Sequence, residues 1–583
     1  MIDDFCDLFR LQFSLIYVLI AVPIVSTALN PASSQKQHQT GVVVQEFRAY
    51  RLQHFDLAGN LKGSRNWRVS FDATALNSSV LRRCLIVSWR HLLGVVKLHE
   101  ILPPTLGAVL ILIPGDLTSL SIEDRDAFVE LEHNLLEKPF NFGVFLSPET
   151  PALKEILENV EKQQKNEKAS ALATLISMVT ANSYHFVSEI QSSNVQLTQP
   201  IFNIMSKLSS FERNDKVPTI LIVAHYDSFG LAPALSFGAD SNASGMIALL
   251  EILLVFSKLY GNNYTRARYN LVFLLSGAGK FNFMGSRQFI DDYTEQLENS
   301  NSPASKIEFA LCLDSLLYNE DDNLYMHVSK LPRNNSNLHN FYTRLQNSAS
   351  KYNSKAEIVA KKINLGDEYL AWEHERYSIR KIYGFTVSKH ANHKNPFRRS
   401  ILDLNTGKPD QIRNLKRNIR VITEALIDHV FQIPSDDETL ARTSSTSDLS
   451  LQVDDNMISS IFSLITSFPR SVQNMTSSKD DIPPKQFLLN DLFSIMNHYG
   501  HETHYVPIKL DKRDPEFVLY GATIDKIFAY RIKPAIFDLV LASVIIGYLS
   551  LLYIFILNAS NLQYKLKIYT TPVMSNGMVK KRN

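Results

Sequence analysis

Between residues 218 and 314 the chain alternates strand and helix patterns, and this alternation most restricts what it can fold into. Pro218-Thr219-Ile220-Leu221-Ile222-Val223-Ala224 is a continuous apolar run of β-branched character, short enough for a parallel strand covered on both faces. Residues 245–260 read as a helix with a strongly apolar face, 269–275 as a second strand, 285–292 as the start of a second helix, and 307–313 as a third strand. Strand, helix, strand, helix, strand predicts an open α/β sheet with its special residues at the carboxyl ends of the strands. His225 follows the first strand and Asp314 the third. Further apolar residues at helical spacing, from Ile412 to Val430, close this region near residue 433.

Those strand ends carry ordered motifs. Ala224-His225-Tyr226-Asp227-Ser228 is followed by Gly238-Ala239-Asp240-Ser241-Asn242-Ala243-Ser244-Gly245, then by Ser276-Gly277-Ala278-Gly279-Lys280-Phe281 and Gly285-Ser286. Over roughly residues 200–430 this series resembles the M28 zinc aminopeptidase family. The resemblance implies an open mixed sheet flanked by helices, with His225 at the first metal-ligand position and Asp227 at the aspartate that orients it. It also implies Asp314 at a later carboxylate ligand and His393 at the last histidine, His390 being the second choice.

The departures from that family decide the expected chemistry. A dinuclear peptidase needs ligands for each metal, a bridging carboxylate and a glutamate base beside the metal-bound water. The bridging position here is Ser241, with Asp240 one place early and expected to point away. The base position is Gly279, which has no side chain, and the next ligand position is Lys280. A lost general base costs about 10² to 10⁴ in rate. An ammonium about 4 Å from a divalent ion, at an effective dielectric of roughly 20, is repelled by about 8 kcal/mol. Lys280 is therefore expected to fill the vacated metal position and pair with Asp314 or Asp240, leaving no metal, no cofactor and no catalytic residue. Two other readings stand beside this one. One is a zinc exopeptidase, in full or with a single zinc on His225, Asp314 and His393; the other is a peptide receptor that keeps the cleft around His225, Asp314 and His374.

The rest of the chain sets a location. Residues 11–25 are mostly apolar and run into Ser26-Thr27-Ala28, which predicts a signal peptide over 1–28 although Asp3, Asp4 and Asp7 precede it. A second apolar stretch, 535–557, is long enough to span a bilayer. The tail 558–583 holds Lys565, Lys567, Lys580, Lys581 and Arg582 and no acid, which places it in the cytosol. Lys580 and Lys581, fourth and third from the end, fit a dilysine signal for retrieval to the endoplasmic reticulum. The expected organisation is an N-terminal luminal α/β region over 41–200, the peptidase-like domain over 201–433, a Ser- and Asp-rich linker over 434–450 and a smaller luminal segment over 451–534. Asn77, Asn263, Asn334 and Asn474 head glycosylation sequons; a fifth, Asn242, sits in the peptidase-like loop and is expected to be too buried. Of three cysteines, Cys6 leaves with the signal peptide, and the sequence leaves open whether Cys84 pairs with Cys312. Lys plus Arg number 60 against 58 Asp plus Glu, so nothing favours a nucleic-acid partner.

The Gly279-Lys280 substitution, the Trp372-Glu373-His374-Glu375-Arg376-Tyr377 string, the single C-terminal span and the basic tail together resemble the nicalin family. Its members are nicastrin-related, non-catalytic relatives of the aminopeptidases. That resemblance implies a complex with a Nodal modulator-like luminal protein and a small multispanning membrane protein, associated with the translocon during biogenesis of multispanning proteins. It further implies effects on signalling and on the assembly of ion-channel receptor subunits.

Overall fold

The central strand Thr219–His225 is buried along its whole length and pairs in parallel with Asn270–Ser276 on one side and Ile307–Leu313 on the other. Its side chains alternate between two cores, as a period of two requires. Ile220, Ile222 and Ala224 face the larger core, and Leu221 and Val223 the smaller one on the opposite face. Each such aliphatic burial is worth about 1.5–3 kcal/mol, which fixes the register of the strand and hence where His225 emerges.

This is a computed structural model. It describes residues 42–57, 59–65, 68–76, 81–94, 101–167, 183–189, 201–210, 217–261, 267–299, 306–317, 322–432, 455–475, 485–510, 513, 515–521, 523–532 and 535–570. The expected signal peptide, the linker 434–450, Asn77, Asn263, Lys580 and Lys581 lie outside them.

The eight-stranded sheet runs Lys355–Ala360, Asn323–Val328, Gly384–Ser388, Ile307–Leu313, Thr219–His225, Asn270–Ser276, Phe202–Leu208, His501–Pro507. It is mixed: Phe202–Leu208 is antiparallel to both its neighbours, and Asn323–Val328 is antiparallel to Gly384–Ser388. The helix Gly245–Tyr260 lies in the larger core with the helices Pro409–Phe431, Asp455–Thr466 and Lys485–Tyr499. Residues from Met284–Asn299 and His374–Ile379 cover the other face. The expected open mixed sheet flanked by helices is what forms.

The N-terminal region closes a seven-stranded barrel of Val42–Arg51, Ile524–Ile532, Ser183–Ser188, Ser70–Thr74, Cys84–Ser88, Ala108–Ile113 and Gly143–Pro148. A small third sheet joins Phe517–Leu519 to His54–Leu57, Asn60–Ser64 and Pro139–Phe140. The segment expected over 451–534 contributes to all three sheets. Among the described residues its helices Asp455–Thr466 and Lys485–Tyr499 pack in the larger core, and its three strands complete three different sheets. Such short elements have too little apolar surface to stand alone and find their partners across the molecule.

Cys84 and Cys312 are both buried and unpaired, one in the barrel core and the other beneath the main sheet. Burial pushes both thiols up. The C-terminal helix Ala535–Thr570 extends past the expected end at 557. Its stretch Leu541–Asn558 has a mean hydropathy of 2.1 and no buried share, whereas the similarly apolar Ala239–Tyr260 is 78% buried and belongs to the core.

Candidate functional site

The site assembles where three parallel strands end. His225 closes the central strand, and its carbonyl accepts from the Asn242 side chain at 2.7 Å. Asp227, two residues on, accepts from the backbone amides of Gly279 (2.7 Å) and Lys280 (2.9 Å). It therefore ties the third motif to the first and does not orient His225, as had been expected. Orientation falls to Glu373, whose Oε2 lies 3.4 Å from His225 Nδ1 while its Oε1 accepts from Ser276 Oγ (2.7 Å) and Ser286 Oγ (2.6 Å).

Glu373 belongs to the Trp-Glu-His-Glu-Arg string, in which His374 was the expected site residue. His374 instead meets Thr386 Oγ1 at 2.9 Å, and burial pulls its pKa down to about 3. Which member of the string turns inward depends on where its short helix begins, at His374, and the string alone does not show that.

Gly279 is packed against the histidine. A Cβ there would lie 2.3 Å from both Cβ and Cγ of His225. Lys280 enters the site as expected but with different partners. Its ammonium donates to Ser241 Oγ at 2.5 Å and to the Arg398 carbonyl at 3.2 Å, both neutral. Burial first, then the Arg398 charge, lowers its pKa to about 8. Asp314 pairs with Arg398, whose Nη2 lies 2.6 Å from Oδ2. Burial alone would raise the Asp314 carboxyl; Arg398, Lys280, His225 and His390 together hold it well below the usual carboxylate range. The arginine also lies 4.4 Å over the Trp372 ring and donates to the His393 carbonyl at 3.1 Å. Arg398 was missed because it comes from a loop some 84 residues beyond Asp314, with no motif around it.

Asp240, from the second motif, is a buried carboxyl group. Its Oδ1 accepts from Ser244 Oγ (2.9 Å) and from the Leu317 amide (2.8 Å), and its Oδ2 is 3.7 Å from His390 Nε2. Burial and the neighbouring Asp403 raise it to about 7. Asp403 accepts from the amides of Asp240 and Ser241, both at 2.8 Å. His390, the second choice, is thus the buried histidine of this cluster. His393, the first choice, is half-buried on the wall of the cleft. Arg470, fully buried, fastens the loop from beneath through the carbonyls of Phe237 (2.9 Å) and Gly238 (2.6 Å).

The glycan positions divide. Asn334 is exposed just before the helix Asn337–Lys351. Asn474 is not available: it is buried, and its amide donates to the Pro233 carbonyl at 2.8 Å and accepts from Thr523 at 3.0 Å. Asn242 is fully buried, as expected.

Residues 203–400 match the model of Peptidase family M28. The chain is 34% identical over 549 residues to "BOS complex subunit ncln" of Danio rerio, covering 90% of this chain and 93% of that protein. It is 32% identical over 575 residues to nicalin of Caenorhabditis elegans, covering 96% and 97%. The chain belongs to the nicalin family. Its fold is similar to the crystal structure of the gamma-secretase component nicastrin, with a TM-score of 0.54 at 14% identity over 84% of this chain and all of that one.

The zinc pair of the peptidase frame does not fit this nicalin-family site. His225 Nε2 and Asp314 Oδ1 are buried without partners, but the positions between and beside them are a serine bonded to an ammonium and a glycine. Among the described residues no group of three His, Cys, Asp or Glu is placed to hold a metal ion. What remains is a cleft of about 910 Å³, whose lining includes His225, Phe229, Lys280, Tyr369 and Arg399.

Proposed function

We propose that this nicalin-family chain is a non-catalytic scaffold of the endoplasmic reticulum membrane, a subunit of a BOS-type complex. In this reading residues 41–534 are luminal, 535–557 anchor the chain and 558–583 face the cytosol. Its partners are a Nodal modulator-like luminal protein and a small multispanning membrane protein, acting beside the translocon in the biogenesis of multispanning proteins and in receptor subunit assembly. One observation carries the loss of catalysis. The base position is a glycine whose Cβ would collide with His225 at 2.3 Å, so the histidine occupies space that a glutamate there would need. The Lys280 ammonium, held by Ser241 and Arg398, opposes a dication in the same pocket. Family membership and the long apolar C-terminal helix support the membrane-complex role.

The test is affinity purification of the full chain in mild detergent, with metal analysis of the product. Co-purification of a large luminal protein and a multispanning one, with no stoichiometric zinc, is expected. Recovery as a lone monomer sinks the scaffold reading. Two zinc ions per chain, with chelator-sensitive release of N-terminal residues, sinks the non-catalytic one.

A further inference from the structure

The helix Pro409–Phe431 has two unlike faces. Leu415, Ile419, Ile422 and Leu426 are buried in the larger core. Arg413, Lys416, Arg417 and Arg420, spaced three and four residues apart, share another face. All four line a pocket of about 440 Å³ that has no residue in common with the cleft at the strand ends. Tyr352, Pro409, Ile412 and Ser459 line the rest of it. Tyr352 caps the helix Asn337–Lys351 and Ser459 belongs to the helix Asp455–Thr466, so three helices contribute. A basic stripe along a convex helix is ordinarily a solvated face, but here it lines a concavity.

Among the described residues no carboxylate lines this pocket. The acids nearby sit at its margin or are bonded elsewhere. Asp410, 78% exposed, lies 3.1 Å from Arg413, and Asp322, 62% exposed, accepts from Arg417 Nη1 at 2.7 Å. Ion pairs so open to water are weak and can yield to a ligand. Glu424 accepts from the hydroxyls of Tyr352 (2.8 Å) and Ser348 (3.1 Å), with Lys351 Nζ at 3.6 Å. Two arginines keep donors unused: Nε and Nη2 of Arg417 and Nε of Arg420 are buried without an acceptor, a costly state for a charged group. Nε and Nη2 together form one edge of the guanidinium fork, the edge that takes two oxygens of an oxyanion at once.

The lining also restricts the kind of anion. A carboxylate brings one charge and two coplanar oxygens, enough for one guanidinium. A phosphate monoester brings nearly two charges and three acceptor oxygens, which donors reach from several directions. The volume is within the roughly 300–1,000 Å³ of small-ligand sites and exceeds what a bare phosphate fills. Tyr352, Pro409 and Ile412 supply apolar surface for the organic part. We infer that this pocket binds a phosphate ester of a sugar or polyol, with the phosphate on Arg417 and Arg420 and the ring against Tyr352 and Ile412. The same chemistry is offered by a free sugar phosphate and by the headgroup of a phosphoinositide lipid.

The experiment is isothermal titration calorimetry of the full-length chain in a non-ionic detergent. The probes are myo-inositol trisphosphate, citrate, unphosphorylated myo-inositol and short-chain phosphatidylinositol bisphosphate. Saturable binding of one trisphosphate per chain is expected, about tenfold or more tighter than citrate, with no binding of myo-inositol. Tighter binding of the lipid than of the trisphosphate identifies a lipid headgroup as the source, and equal or weaker binding identifies the free ester. Arg420→Gln and Arg417→Gln should each weaken binding by about tenfold, the loss of one charge-assisted contact, and Arg420→Lys by less, with thermal unfolding as a check on folding. Arg90→Gln, an exposed cation elsewhere, should leave binding unchanged. The inference is overturned if neither phosphate probe binds saturably, if citrate binds as tightly, if folded Arg420→Gln and Arg417→Gln proteins bind as the unaltered chain does, or if Arg90→Gln weakens binding as much as they do.

Discussion

Arg398→Ala tests the electrostatics of the site most directly. The pair it breaks has a 2.6 Å contact, with side-chain exposures of 12% for Arg398 and 5% for Asp314. Two unit charges about 4 Å apart at an effective dielectric of roughly 20 attract by about 4 kcal/mol. Removing one member of a buried pair strands the other and typically costs about 3–5 kcal/mol. Lys280, also acting on Asp314, remains protonated at neutral pH and compensates in part, while the lost stacking on Trp372 adds about 1 kcal/mol. The expected net loss is therefore about 3–4 kcal/mol at pH 7. The Asp314 carboxyl is depressed in the folded chain, so its contribution is present above the unfolded value near ~4 and is lost as pH falls. The deficit of the variant should accordingly shrink with acid. Urea denaturation of the detergent-purified chain, followed by tryptophan fluorescence, measures both, since Trp372 lies under the guanidinium. Arg398→Met with Asp314→Asn should recover most of the loss. A single-variant cost below about 1 kcal/mol, or one independent of pH, would refute the assignment of Arg398 as the partner that holds Asp314 charged.

Lys280→Met should be tolerated better, because the ammonium is bonded to neutral groups and already desolvated. Its pKa falls from 10.5 to about 8 on folding, so between those values the unfolded chain holds the proton that the folded chain has lost, and stability should rise with pH there; the variant should lack that rise when both are compared by urea titration. Gly279→Glu should not restore a peptidase: the 2.3 Å approach to His225 predicts destabilisation of at least about 1–3 kcal/mol and no zinc-dependent release of an N-terminal aminoacyl fluorophore. Asn334→Gln should remove a glycosidase-sensitive mobility shift and Asn474→Gln should leave it, since the Asn474 amide is bonded inside the fold. Cys84 and Cys312 should both be alkylated on unfolding without reductant, giving the mass of two adducts.

The parallel centre of the sheet was legible because its strands are short, continuous apolar runs. Residues 307–313 and 245–260 form the elements expected of them, and the flanking strands and helices shift by only a few residues. The motif residues lie at the strand ends for the same reason: a sheet buried on both faces leaves its loops as the place for polar chemistry. Their partners were less legible. Glu373, of which no role was expected, lies beside His225 where Asp227 was expected, His374 turns to Thr386, and Lys280 cedes Asp314 to Arg398. A carboxylate accepts from whatever donors the backbone brings within about 3 Å, and no spacing in a motif records that distance.

The sequence by itself determined that this chain builds an α/β peptidase-like frame with Gly279 and Lys280 in its third motif, and that a long apolar stretch follows it. Those are local properties, carried by periodicity and by the identity of single residues. Tertiary structure alone decided that the last residues before the C-terminal helix, through 532, complete the sheets begun by the first, and that an arginine 84 residues away in sequence neutralises Asp314. Such pairings are set by the burial of charge and of sheet edges among segments hundreds of residues apart, where the cost of leaving a group unsatisfied selects the partner.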